Sequence, residues 1–232
     1  VQAISGFAQT KKHIAKKTTP VAKKRVAKKL QPIKIKIDTD SGTMIVVLYD
    51  STPLHRDNFV KLVKAGFYDS LLFHRVIPGF MIQGGDPTSK NAPAGILLGN
   101  GGDNLGRIPA EFRSTLFHKK GVIAAARDNN PQKESSACQF YIVEGKVFTD
   151  DEINIIEQRW GVKIPEAHRV IYRTIGGTPN LDENYTVFGE VVSGLDVIDK
   201  IAHMKRDENN RPLTDIRMHM QLLTNTTPVK KK

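Results

Sequence analysis

The sequence predicts a mainly β fold, an antiparallel barrel capped by two helices and interrupted by a helical insertion. Three observations carry that expectation: short β-rich runs recur between residues 33 and 223, glycine-rich turns separate them, and no βαβ unit repeats. The 232 residues suffice for one substantial domain with an arm and an insertion. With 39% hydrophobic and 25% charged residues the composition is that of a globular chain. No apolar stretch approaches the roughly 18 residues of a membrane-spanning helix, so no transmembrane segment is expected.

Residues 1–32 read as a basic flexible arm, because paired lysines repel one another and Pro20 and Pro32 oppose a helix. At its start, residues 1–9 (VQAISGFAQ) resemble the end of a secretory signal. On that reading Gly6-Phe7-Ala8 is expected to serve as the small-x-small cleavage site, with residues 1–8 as the expected remnant. Export to the periplasm or cell envelope is the expectation, with the cytoplasm as the alternative. Ten Lys and one Arg precede the first acid, Asp38, and Lys230, Lys231 and Lys232 close a basic tail, residues 224–232. These charges exceed the net +11 and leave the remainder of the chain at −3. A mildly acidic body argues against a nucleic-acid groove, so no specific nucleic-acid partner is expected. The arm alone suits weak, screened contact with an anionic surface.

Residues 33–223 form the domain. Residues 33–39 (IKIKIDT) alternate apolar and polar, residues 44–49 (MIVVLY) are β-rich, and Ser41-Gly42 supplies the turn of a hairpin. A helix follows, with Thr52 as its cap, Pro53 at its first position, Leu54, Phe59, Leu62 and Val63 on its apolar face and Gly66 at its end. Strands are expected at 72–77, 81–84, 121–127, 138–143, 186–192 and 215–223. A second helix at 195–204 carries Leu195, Ile198, Ile201 and Ala202 on one stripe.

Residues 146–177 break this rhythm as a helical insertion. Thr149 and Glu152 make a capping box ahead of Ile153, Ile156 and Trp160, Pro165 opens a second helix, and Gly176-Gly177 end it. At that spacing Trp160 is expected on the packing face. Cys138, the single cysteine, excludes an intramolecular disulfide and reads as core filler in an apolar run.

Chemistry concentrates at residues 73–86 (FHRVIPGFMIQGGD). One strand presents Arg75, and after the Pro78-Gly79 turn a second presents Phe80, Met81 and Gln83. A cation and an amide beside two apolar side chains suit an amphipathic ligand with a polar carbonyl. On spacing alone, a plain hairpin with an exposed arginine explains the cluster as well. His74 has no paired carboxylate and reads as a packed core residue. Residues 99–106 (GNGGDNLG) lack the Gly-Lys-Ser/Thr ending of a phosphate loop and read as a turn-rich surface loop. The seven histidines lack the close spacing of a zinc site, so no metal is expected.

Over those fourteen consecutive residues the chain resembles the signature of the cyclophilin family. Residues 121–127 (GVIAAAR), Gln139-Phe140-Tyr141-Ile142 and 181–189 (LDENYTVFG) are similar to later family segments in the right order, so the resemblance spans about residues 33–223. It implies an eight-stranded antiparallel barrel with a helix at each end and a proline groove on its outer face. The implied activity is cis/trans isomerisation of X-Pro bonds in proline-containing peptides and unfolded protein clients. A monomer acting without a cofactor is expected. A non-catalytic proline-peptide module or holdase is the alternative, against which the retention of both Arg75 and Gln83 weighs.

Position by position, Arg75 matches the family's catalytic arginine and Gln83 the glutamine that orients the substrate carbonyl and Arg75. Phe80, Met81, Tyr141 and Leu181 match the apolar proline pocket. Ala126 and Arg127 match positions whose backbone holds the peptide, Gln139 joins the substrate-binding set, and Tyr185 stands where many members have histidine. Tyr141 replaces a phenylalanine, Arg127 a small polar residue, and Asn180 the tryptophan of cyclosporin-sensitive members, so weak cyclosporin inhibition is expected.

A chain starting at Gln31 is expected to turn over short neutral peptides like the full chain, because the proposed site residues lie between 75 and 185. Sedimentation with anionic vesicles should show the full chain binding at low salt and releasing toward physiological salt, where the Debye length is about 8 Å. The shortened chain should bind little at either. A folded but inactive shortened chain would place the arm within the site.

Overall fold

The computed structural model describes residues 31–223; the signal-like stretch, residues 1–30 of the arm and the tail at 224–232 lie outside the described residues. In chain order the elements are β1 (Lys34–Thr39), β2 (Gly42–Leu48), α1 (Pro53–Lys64), β3 (Arg75–Ile77), β4 (Met81–Gly84), β5 (Arg107–Ile108), β6 (Val122–Ala125) and β7 (Ser135–Ser136). They continue with β8 (Phe140–Val143), α2 (Asp150–Trp160), α3 (Glu166–Thr174), β9 (Val187–Ser193), α4 (Leu195–Ala202) and β10 (Met218–Leu223). Eight of the strands form one antiparallel sheet in the order β10-β1-β2-β9-β6-β8-β4-β3, and β5 pairs with β7 outside it. Its edges meet just before β3, where Leu72 bridges Arg217 and the Ser70 and Phe73 amides donate to Met218 O and Ile216 O. The sheet thus curls into the expected eight-stranded antiparallel barrel.

Alternation along each strand sorts side chains to two faces. Inside the barrel lie Ile35, Ile37, Met44, Val46, Ile82, Ile123, Phe140, Ile142 and Phe188. One end is closed by Phe59 and Val63 of α1 and the other by Val197, Ile198 and Ile201 of α4. Phe59 packs edge-on against Phe140 with ring centroids 5.6 Å apart. On the outer face of β4, β6, β8 and β9 a second apolar cluster holds Met81, Val122, Ala124, Tyr141, Val143 and Val187.

Several local expectations shift. The hairpin turn is Asp40-Ser41, and Gly42 already pairs with Thr39 in the ladder. A side chain at Gly42 would meet Val197 at 2.8 Å, so glycine is required there by the approach of α4. Thr52 makes no side-chain cap on α1. The cap comes instead from Glu111, far away in sequence, whose carboxylate accepts from the Leu54 and His55 amides (3.2 and 3.0 Å) and from the His55 ring (2.7 Å). His55 is therefore buried, and Leu54, expected on the apolar face, is exposed. Burial pushes the His55 ring below its usual value, against the opposing pull of Glu111.

In the insertion the Thr149–Glu152 capping box forms as expected, and Gly161 ends α2 in the left-handed region. Ile153, Ile164 and Tyr172 are the buried residues there, packed on Phe117, Phe148, Ile156 and Val162. Trp160 is 54% exposed, because the packed face of α2 stops one turn short of it. Cys138 is buried, and burial pushes its thiol up, which fits its expected role as core filler.

Glu111→Ala should lower the unfolding free energy by about 3 kcal/mol, since it strips a charged acceptor from two helix-start amides and a buried imidazole. Urea denaturation measures it. A loss under about 1 kcal/mol, the size of an ordinary exposed cap, would show that water replaces the carboxylate.

Candidate active site

The site is a rung across four neighbouring strands. Arg75 of β3 lies opposite Gln83 of β4, Gln83 opposite Tyr141 of β8, and Tyr141 opposite Ala124 of β6. Because residues directly across a sheet share a face, one register places all four on the outer side of the barrel. Around the rung Arg75, Phe80, Met81, Gln83, Ala126, Arg127, Tyr141, Leu181 and Tyr185 line a pocket of about 110 Å³. These are all the proposed site residues except Gln139, which lines an adjoining polar depression of about 420 Å³ that shares Gln83, Ala126 and Arg127.

Gln139 is nonetheless tied to the chemistry. Its Nε2 donates to Gly99 O and Gly101 O, both at 2.9 Å, which leaves its Oε1 to accept from Gln83 Nε2 at 3.1 Å. Gln83 then turns its own Oε1 toward Arg75, whose Nη1 donates to it at 3.1 Å. With both amides committed in one direction, the guanidinium has a fixed acceptor and no freedom to swing. Arg75 itself lines the pocket. Among the described residues no carboxylate pairs with Arg75, so its charge is not locally neutralised. Burial pushes its pKa down, opposed by Tyr185. Arginine stays charged under such a shift at neutral pH.

The glycine loop anchors this chain. Asp86 accepts from the Gly99 and Gly101 amides and from Thr88 N and Oγ1, and these bonds hold its carboxylate below the usual range despite burial. Two amides of the 99–106 loop are therefore spent on the protein's own anion. The Pro78-Gly79 turn is held likewise. Gly79, at φ +70°, donates to Glu144 Oε2 at 2.6 Å, and the Glu144 and Gly145 amides donate to Phe80 O. Burial raises the Glu144 pKa, against the lowering effect of the Gly79 amide. Neither Asp86 nor Glu144 was legible as a supporting residue; Asp86 sits unremarked at the end of the motif, and Glu144 is a lone acid after an apolar run.

The remaining wall is aromatic and basic. Tyr141 meets Tyr185 edge to face at 5.9 Å, and the Arg127 guanidinium lies 4.7 Å from the Tyr185 ring centre. Arg127 Nε donates to Asn184 O at 2.8 Å, so its side chain is a fixed flank. Ala126 donates its amide to Gln139 O and accepts from Ser136 N at its carbonyl. Its amide is thereby used within the protein, while the residue itself lines the pocket. Asn180 is half-buried on the turn before Leu181 and does not line the pocket.

An antiparallel barrel with an unneutralised cation over an outer apolar pocket, whose lining holds no serine, cysteine or acid, is built to bind and polarise rather than to attack. That arrangement suits holding and polarising a bound ligand, and the relationships to known proteins give the class, an isomerase. The chain belongs to the cyclophilin type peptidyl-prolyl cis-trans isomerase family, whose profile matches residues 34–221. It is 34% identical to a putative peptidyl-prolyl cis-trans isomerase of Staphylococcus haemolyticus over 188 residues, 79% of this chain and 87% of that one. A protein of the same description from Staphylococcus aureus is also 34% identical, over 79% of this chain and 88% of that one. The crystal structure of a Cryptosporidium parvum cyclophilin type isomerase superposes with a TM-score of 0.60 at 22% identity, over 84% of this chain and 99% of that one, and shows the same fold.

His74 is buried as expected, but both ring nitrogens lack a hydrogen-bond partner. Burial pushes its pKa down to about 4, with Asp86 opposing. In the unfolded chain it titrates near 6.5, so between those values the unfolded state takes up a proton that the native state refuses. Its contribution is full above pH 6.5 and falls by about 3 kcal/mol as the pH drops through 4. Unfolding free energies measured from pH 7 to 4 should therefore decline less steeply in His74→Leu than in the wild type. Equal slopes would mean that His74 is protonated in the fold.

Proposed function

We propose that this chain accelerates rotation about X-Pro peptide bonds in proline-containing peptides and assists the folding of unfolded clients, with Arg75 as the catalytic donor. One observation carries the reading: a guanidinium without a carboxylate partner, locked by Gln83, at the wall of a small apolar pocket. Partial double-bond character sets a barrier of about 18–20 kcal/mol for the amide. As the bond twists, the prolyl nitrogen becomes pyramidal and recovers a lone pair. A donor aimed there binds the twisted state better than either planar one, which is the condition for catalysis.

Arg75 provides that donor without needing to reorganise, since the Gln139–Gln83 chain has already oriented it. One such donor supplies about 3–4 kcal/mol, so the apolar wall must supply the remainder by holding the ring while the preceding carbonyl swings. Phe80, Met81, Tyr141 and Leu181 form that wall in this reading, and Gln83 meets the carbonyl. A related structure of the Cryptosporidium protein, 22% identical with a TM-score of 0.59, was determined in the presence of the dipeptide Ala-Pro, which supports an X-Pro ligand here.

With a proline tetrapeptide, Arg75→Ala should lower kcat/KM by about 10²- to 10³-fold, the loss typical of one preorganised donor, with the urea midpoint preserved. Activity within threefold of wild type would sink the mechanism. A wild type that binds the peptide without turning it over would establish the holdase reading instead.

A further inference from the structure

Tyr141 carries one oxygen more than a phenylalanine would, and that oxygen is engaged. It lies 2.9 Å from Nε2 of His118, a residue that is not among those lining the pocket. The other ring nitrogen of His118, Nδ1, lies 2.9 Å from Asp182 Oδ1, which also accepts the His118 amide at 2.8 Å. The second oxygen of the same carboxylate accepts from Tyr172 Oη at 2.7 Å. Tyr172 belongs to α3 of the insertion and is fully buried, as is His118. Four side chains thus run from the insertion to the pocket without a break.

Both ring nitrogens of His118 are engaged. An ionised carboxylate only accepts, so Nδ1 of His118 carries a hydrogen toward Asp182, and Nε2 shares the second hydrogen bond with the Tyr141 hydroxyl. Burial raises the Tyr141 pKa well above its usual value, in keeping with a phenol that donates. A phenylalanine ring in this place would be held by packing alone and could flip about its axis. Tyr141 is held at both ends, by its backbone in β8 and by its hydroxyl. Asp182 also follows Leu181 directly, so the same carboxylate braces a second wall of the pocket.

We propose that Tyr172, Asp182 and His118 form a positioning relay through which the helical insertion fixes the ring of Tyr141 and so sets turnover in the proline pocket. It rests on the reading of that pocket as the seat of the prolyl ring. The insertion thereby acts on catalysis without touching the ligand. Its residues are positioning residues, each acting through the next, and its contribution is preorganisation of a wall against which the ring is held as the bond twists.

The test is a double-mutant cycle of Tyr172→Phe and Tyr141→Phe, each of which removes a single oxygen, read as kcat and KM on a proline tetrapeptide. Tyr172→Phe should lower kcat by about 5- to 10-fold with little change in KM when Tyr141 is present, and have no effect in the Tyr141→Phe background, as coupled neighbours do. Equal effects in both backgrounds, or none in either, would overturn the relay. Aromatic NMR gives a readout independent of activity. His118→Gln and Tyr172→Phe should each speed flipping of the Tyr141 ring, and a ring that flips as slowly in both as in wild type would overturn the proposal even if kcat fell. An Arg75→Ala protein with wild-type activity but slow Tyr141 flipping would leave the relay standing and refute only the isomerase mechanism.

Discussion

The arrangement depends on one constraint, the two-residue period of a β-sheet buried on both faces. In β8, Phe140 and Ile142 enter the barrel while Tyr141 and Val143 face outward; in β4, Ile82 enters while Met81 and Gln83 face outward. A slip of one residue in either strand would put the glutamine and tyrosine into the barrel interior and the isoleucines into the pocket. The closed core, filled by large side chains such as Phe73, Phe140 and Ile123 at 1% exposure or less, makes that slip prohibitive. The chemistry therefore takes its precision from the packing on the opposite face of the same strands.

Onto that register the protein adds directional hydrogen bonds, each fixing the next. Asp86 gathers the amides of the glycine loop, the loop carbonyls orient Gln139, Gln139 orients Gln83, and Gln83 orients Arg75. An arginine in water has many rotamers and a full hydration shell. Here part of both is given up on folding, since Arg75 is half-buried and bonded to Gln83, so the ligand meets a donor that needs little further ordering. The cost falls on stability, since burial of an unpaired guanidinium opposes folding. The large apolar core offsets it.

The insertion shows how far such a chain can extend. Its helices start and stop on local signals, the Thr149–Glu152 box and the left-handed Gly161, yet what ties them to the domain is Tyr172, buried against Phe117 and Phe148 and bonded to Asp182. Trp160 illustrates the opposite case. Helical spacing puts it in line with Ile153 and Ile156, but the surface those residues pack on ends before the helix does.

Local patterns were enough to place most elements and the site's signature. Alternation marked β1 and β10, Pro53 and Gly66 bracketed α1, and the run from Phe73 to Asp86 carried Arg75 and Gln83 because those side chains lie on two strands joined by one tight turn. Partnerships across long sequence separations were not legible. Thr52 had the form of a cap, yet Glu111 serves α1, and Glu144 and His118 offer no local sign of the turn and ring they hold. The reason is physical. Hydrophobic period, capping and turn chemistry act between residues a few positions apart, so the sequence by itself determined most strands, the helices and the place of Arg75 in the signature. Which polar groups meet inside the protein depends on how the barrel closes, so the amide chain on Arg75 and the relay behind Tyr141 were decided only by the tertiary structure.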